Sequence, residues 1–126
     1  MKKTSEPRRA PGMKGEHAGA EAAPGSGGKA PREEHLAEKV QRYRELTRLA
    51  LEKVALNTPK GTKENAMGKQ LLAMAESYYT DAQYFEQALM PLTALAAYSY
   101  AHAWIDAGVR LGLLDGRGDD RLFVLP

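Results

Sequence analysis

Four side chains have the types and spacing for chemistry: Tyr78, Asp81, His102 and Asp106. Tyr78 and Asp81 fall on one amphipathic stretch, His102 and Asp106 on the next, with Met90 and Pro91 between them. If the two stretches fold back on each other at Met90, residues whose numbers add to about 180 stand side by side. Tyr78 then faces His102, Asp81 lies near Ser99, and Met74 lies near Asp106. His102 and Asp106 are also one helical turn apart. A phenol, an imidazole and two carboxylates gathered in a bundle would make a buried polar cluster, with the makings of a proton relay or half a metal site. A metal needs at least a third ligand, and Glu76 and Glu86 point elsewhere on the helical wheel. The plainer expectation is structural. His102 is then a buried histidine bonded to Tyr78 or Ser99, and Asp106 pairs with Arg110 four residues on. Zinc-binding histidine spacings, glycine-rich phosphate loops and nucleophile motifs are missing from the sequence. The expectation is therefore no catalytic, cofactor or metal site, and a protein that is not an enzyme.

The elements that position these residues follow from periodicity. Leu36, Val40, Tyr43, Thr47, Ala50 and Val54 recur at helical steps, with Leu46 and Leu49 beside them, which predicts a helix over Glu33–Leu56. Pro59 and Gly61 break the chain within Asn57–Thr62, and Thr58 or Thr62 is placed to cap the next helix. That second helix is predicted over Lys63–Ala88, with Met67, Leu71, Met74, Tyr78, Ala82, Phe85 and Leu89 as its apolar stripe. Lys69, Ala73, Glu76, Thr80, Gln83 and Gln87 fall on its wet side. Pro91 suits the first position of a third helix, predicted to Leu113. That helix has two adjacent stripes. One is Leu95, Tyr98, His102, Ile105 and Val109; the other is Ala94, Ala97, Ala101, Trp104, Gly108 and Leu111. So wide an apolar arc has to meet two neighbours. The expected fold is all-α: a three-helix bundle with the third helix at its centre. The apolar C-terminal strap, Leu122 to Leu125, should lie across the bundle or across another subunit.

Residues 1–32 are rich in Gly, Pro and Ala, with seven basic residues against three acidic ones, a net +4. They lack the large apolar residues needed to offset ordering entropy, so a disordered basic tail is expected there and a helical domain over 33–126. The remaining 94 residues carry 11 basic and 13 acidic side chains, so the basic character belongs to the tail. Such an arm suits contact with nucleic acid. Cysteine is absent, which excludes disulfides and thiolate metal sites. The N-terminus lacks the apolar segment of a secretory signal, and no apolar run is long enough for a span. A soluble, cytoplasmic protein with no membrane role is the expectation.

The third helix has one more face: Thr93, Ala96, Tyr100, Ala103, Ala107 and Arg110. A solvent face normally carries charge. This one offers alanines, a tyrosine and one cation, and in a three-helix bundle only the chain's own C-terminal strap is left to cover it; otherwise a second copy or a foreign helix does. It is therefore the candidate interaction face, and a protein partner or a homo-oligomer is expected there.

Three segments resemble a known family. SYYTDAQYF (Ser77 to Phe85), YAHAWIDAGVRLGL (Tyr100 to Leu113) and DDRLFVL (Asp119 to Leu125) are similar to the archaeal family catalogued as domain of unknown function 357. The resemblance covers roughly Leu36 to Leu125. It implies a small helical bundle of archaeal origin, and it implies no activity. One departure is visible: the family pattern joins its two helices by a Gly-Asp turn, where this chain has Leu89-Met90-Pro91.

Overall fold

In the computed structural model, residues 35–126 are described; the tail expected over residues 1–32 lies outside them. The elements are α1 (Leu36–Lys53), β1 (Ala55–Leu56), α2 (Lys63–Gln87), α3 (Pro91–Arg110) and β2 (Leu114–Asp115). This is the all-α three-helix bundle that the periodicity predicts. α3 packs along both α2 and α1, which touch each other far less, so α3 is central. Val40 packs at the level of Ala94 and Tyr98, and Ala50 at the level of Ile105 and Val109, so α1 runs parallel to α3. Ala82 joins the first group and Ala75 the second, so α2 runs antiparallel to both.

Small residues set the spacing. Ala94, Ala97 and Ala101 on α3 are fully buried, as are Ala75 and Ala82 on α2 and Ala50 on α1. This revises the predicted stripe of α2. Met67 and Leu89, at its ends, are exposed, and the buried line is Gly68, Ala75, Tyr78 and Ala82 with Asn65 at its start. Where two backbones approach closely, the contact line takes small side chains and the larger ones flank it. The wet side of α2 is exposed as expected. On α3 only Leu111 leaves its predicted stripe for solvent. Thr62, not Thr58, caps α2, its hydroxyl accepting the Asn65 N–H at 3.0 Å.

Two helices end earlier than their patterns suggest. α1 stops at Lys53 because Val54 turns extended and the next two residues pair with the returning chain. Ala55 stands opposite Asp115 and Leu56 opposite Leu114 in an antiparallel pair. The Asn57 N–H continues the ladder to the Leu113 carbonyl at 3.1 Å. α3 stops at Arg110 rather than Leu113 because Gly112 takes the left-handed conformation, φ 82°. The Leu113 N–H then bonds the Gly108 carbonyl and the Gly112 N–H bonds the Val109 carbonyl, the pattern that satisfies the last carbonyls of a helix. α2 ends the same way: Met90 N–H to Phe85 carbonyl, Leu89 N–H to Glu86 carbonyl. Here the left-handed position falls on Leu89, φ 61°, where the favoured residue is glycine. The turn is where Pro91 places it, with a leucine forced into glycine's conformation.

The C-terminal segment closes the fold over the chain's own bundle. Phe123 is buried with Ile105, Val109 and Leu114, while Leu122 and Leu125 flank that cluster. Gly108 makes the room. A Cβ there would lie 2.5 Å from Leu114 Cδ1 and 2.7 Å from its Cγ, and Leu114 is itself fully buried.

Two substitutions should therefore move stability in opposite directions. Leu89→Gly removes left-handed strain of about 1–2 kcal/mol and adds back roughly 0.5–1 kcal/mol of chain entropy. With Leu89 86% exposed, little packing is lost, so Tm should rise by a few degrees. Gly108→Ala would gain about 1 kcal/mol in an exposed helix. Against Leu114 it overpacks the core at a cost of about 1–3 kcal/mol, and Tm should fall. Thermal unfolding followed by circular dichroism reads both signs. A Gly108→Ala chain more stable than the parent would mean that Leu114 moves aside cheaply.

Candidate interaction face and the polar clasp beside it

The predicted polar cluster separates into two places. Tyr78 is buried against Ala101, its ring edge-on to Tyr100 at 4.7 Å between centroids. Asp81 lies half-buried a turn further along α2. His102 turns toward α1 and the C-terminal segment. Its Nε2 lies 2.7 Å from the Leu122 carbonyl and its Nδ1 3.2 Å from the Thr47 hydroxyl. The expected partners of His102, Tyr78 or Ser99, are replaced by Thr47 and Leu122. Antiparallel pairing about Met90 puts Tyr78 level with Ala101, whose side chain leaves α3 on the α2 side. The next residue, His102, leaves on the other side, because one residue step is a large turn about the helix axis. Asp106 likewise does not pair with Arg110 as expected. It accepts the Val124 N–H at 3.1 Å, with His102 Nε2 at 3.9 Å.

His102, Asp106 and Arg110 stand at four-residue steps on one line of α3. Arg110 Nη1 donates to the Leu125 carbonyl at 2.7 Å, so all three side chains hold main-chain atoms of the C-terminal segment. A carbonyl only accepts, so His102 Nε2 donates in its contact with Leu122; the Thr47 hydroxyl, with one proton, lies within reach of both Nδ1 and the Tyr98 carbonyl. The segment is also tied to α1. Lys53 Nζ donates to Asp119 Oδ2 at 2.9 Å, and Arg117 Nε to the Lys53 carbonyl at 2.7 Å. This clasp had no signal in sequence spacing beyond the four-residue steps, since its partners are backbone atoms.

A third polar group pins the three helices. Glu86 on α2 accepts from the Tyr98 hydroxyl of α3 at 2.7 Å and from Arg44 Nη1 of α1. Burial, and then the Glu86 carboxylate, push the Tyr98 phenol well above its ordinary value. It stays a neutral donor rather than an acid. Sequence reasoning missed Glu86 because its two partners come from different helices.

A shallow concavity of about 340 Å³ lies where α1, α3 and the C-terminal segment meet, lined by Tyr43, Leu46, Ser99, His102, Ala103 and Asp106 among others. His102 and Asp106 there already hold the clasp. Among the described residues no three His, Cys, Asp or Glu side chains gather in one place.

The candidate face lies between the clasp and α2. Ala96, Ala103, Ala107 and Arg110 are exposed, and Thr93 and Tyr100 are half-buried. Leu92 and Leu111 extend it at either end, 70% and 72% exposed. Tyr100 is not a freely standing anchor. Its ring leans on Tyr78 and meets Trp104 edge-on at 6.0 Å, which fixes its rotamer. The strap leaves Ala103 and Ala107 exposed.

The clasp has an acid limit. Lys53, then the Arg121 N–H, hold the Asp119 carboxyl below its ordinary value of 3.8. A depressed carboxyl stabilises the fold fully above the ordinary value, and that contribution is lost as pH falls through the depressed one. Below pH 3.8, amide exchange at Leu122 and Phe123 should therefore accelerate more than at the centre of α3. Asp119→Asn should loosen these amides already at neutral pH and abolish the acid step. Unchanged exchange in that variant would remove Asp119 from the clasp.

Residues 42–114 match a family described as a protein of unknown function (DUF357). No curated protein and no solved structure matches the chain. The matched stretch takes in most of α1, all of α2 and α3, and the first residue of β2. It ends on Leu114, the residue seated on Gly108. Spanning more than half of the 126 residues, this match shows that the chain belongs to the DUF357 family.

Proposed function

We propose that the protein is a non-enzymatic interaction module that docks another protein on the outer face of α3, in an archaeal cytoplasm. One observation carries this reading. From Pro91 to Val109 the exposed positions of α3 are Pro91, Leu92, Ala96, Ser99, Ala103 and Ala107, all uncharged. The exposed positions of the neighbouring helices include Arg42, Glu52 and Lys53 on α1 and Lys63, Glu64, Lys69 and Glu76 on α2. The exposed charge of α3 is confined to its last residue, Arg110; solvent alone gives no reason for the rest of its outer face to lack charge, whereas the centre of a protein interface is depleted in charge. Tyr100, held by Tyr78 and Trp104, offers a rigid aromatic at small entropic cost. No helix among the described residues is long and apolar enough to cross a membrane.

The competing reading is an RNA- or ribosome-associated factor using the basic N-terminal residues, Lys2, Lys3, Arg8, Arg9 and Lys14. α1 lends it little support: Arg44, Arg48 and Lys53 are paired to Glu86, to Glu45 and Glu52, and to Asp119. Pull-down from the native organism, with and without nuclease, separates the two. A docked protein survives nuclease and salt, whereas phosphate contacts give affinity that falls steeply with salt. Ala103→Arg should keep the helical circular dichroism spectrum, since arginine is a good helix former at an exposed site. It should weaken capture at least about tenfold, the loss typical of a central interface position. Capture equal to the parent's would leave the face an ordinary surface.

A further inference from the structure

We infer that the partner on this face is a second copy of the chain, packed antiparallel across a two-fold axis. This rests on reading the outer face of α3 as a docking surface. The line is Leu92, Ala96, Tyr100, Ala103, Ala107 and Leu111, all exposed but the half-buried Tyr100, with steps of four, four, three, four and four, the same in both directions. When identical helices pack antiparallel, residues of constant number sum stand opposite each other. Taking that sum as 203, Leu92 meets Leu111, Ala96 meets Ala107, and Tyr100 meets Ala103. Each position then meets a residue that fits it. The leucines, 70% and 72% exposed, cover one another at both ends. The alanines let the backbones close, and each Tyr100 ring lies over the small Ala103 of the other copy. Two-fold interfaces require this self-complementarity: residue i meets j while j meets i.

The polar edge agrees. Thr93 stands opposite Arg110 under the same sum. Arg110 commits Nη1 to the Leu125 carbonyl, and its guanidinium has further donors for a hydroxyl. Parallel packing would set Arg110 against Arg110 and Tyr100 against Tyr100, a like-charge contact and a steric crowd. The bundle itself does not impose the symmetry of residue types. Leu92, Ala96, Ala103, Ala107 and Leu111 are all exposed, so packing within the chain leaves their identities open. The line is about 29 Å long at 1.5 Å per residue, running from the first turn of α3 to Leu111, which caps its C-terminal end.

The chain has no cysteine, so single introduced cysteines report the pairing directly. Ala96→Cys and Ala107→Cys are both exposed changes of nearly equal volume. Under mild oxidation an equimolar mixture of the two full-length variants should give a covalent dimer containing one of each, and neither variant alone should give it. A disulfide demands Cβ atoms about 3.5–4.5 Å apart, so only the antiparallel register satisfies both results. The unmodified chain should sediment with the mass of two chains. Ala103→Arg should raise the dimer dissociation constant at least about tenfold, because the two-fold axis brings the substitution in twice. Cross-linking as efficient in the unmixed variants as in the mixture would overturn the antiparallel arrangement. A one-chain mass at every concentration would overturn self-pairing. If that monomer still captured a protein that Ala103→Arg releases, docking on α3 would stand with a foreign partner, so the two failures are distinguishable.

Discussion

Ala94, Ala97, Ala101 and Gly108 bring the backbone of α3 close against its neighbours, and that close approach constrains nearly everything else in the fold. A contact line of methyl groups and one bare Cα buries little side-chain area of its own. The larger burial comes from what flanks it: Tyr78 and Tyr98, Ile105 and Val109, and Leu114 folded back over Gly108. Each of these then stands between two elements rather than on one surface. The tyrosines carry polar ends into the bundle, and a buried hydroxyl without a partner is costly. Tyr98 meets this with Glu86, and the pair draws in Arg44 from α1. The Tyr98 carbonyl is approached in turn by the Thr47 hydroxyl at 3.4 Å. Close packing about α3 thus brings with it the polar links that fix the relative rotation of the helices.

The same constraint explains the C-terminal segment. A bundle of three helices this short leaves the cluster of Ile105, Val109 and Leu114 open on one side, and Phe123 fills it. Apolar contact alone is non-directional and would tolerate several placements of a short segment. The placement is selected by hydrogen bonds between His102, Asp106 and Arg110 and main-chain atoms of the segment, by Lys53 donating to Asp119, and by Arg117 donating to the Lys53 carbonyl at the end of α1. Because these side chains grip backbone, the identities of Leu122, Val124 and Leu125 matter for packing more than for the clasp. The family match ends at Leu114, so the clasp lies between a matched helix and a segment beyond the match.

Helix number, order and the central place of α3 were legible because a 3.6-residue pattern reports which arc is buried. Pro91 reported the turn, since proline is tolerated at the first helical position and little further in. The misreadings share a cause: each depended on something the local pattern does not contain. α1 ends at Lys53 because Leu113–Asp115 returns to pair with it, a contact some sixty residues away in the chain. Met67 and Leu89 continued a stripe whose buried line was drawn by the small residues of the facing helix. Leu89 adopts glycine's conformation because the Met90 and Leu89 amides close on α2, and nothing in its side chain announces that. Of the polar cluster, the register about Met90 was right to within one residue. One residue was enough to carry His102 round to the other side of α3, and with it any link to Tyr78.

Charge placement on α3 bears on what its outer face is for. Its only formally charged residues are Asp106 and Arg110, and both bind the C-terminal segment. α3 is thus able to carry charge, and carries it along the one line that needs hydrogen-bonding partners. The neighbouring line, Ala96, Ala103 and Ala107, is exposed and would accept lysine or glutamate at almost no cost in helix propensity. Burial within the chain therefore does not account for its alanines, and neither does any requirement of helix formation. The docking proposed for this face would account for them, because close approach of another backbone calls for small side chains. Alanine is the largest side chain that keeps helix axes near their shortest separation, and charge there would have to be desolvated. In the proposed docking, the order of residues along the line favours one occupant. Leucines at both ends and a single tyrosine offset from the midpoint opposite an alanine make a surface that its own copy, reversed, fits at every position.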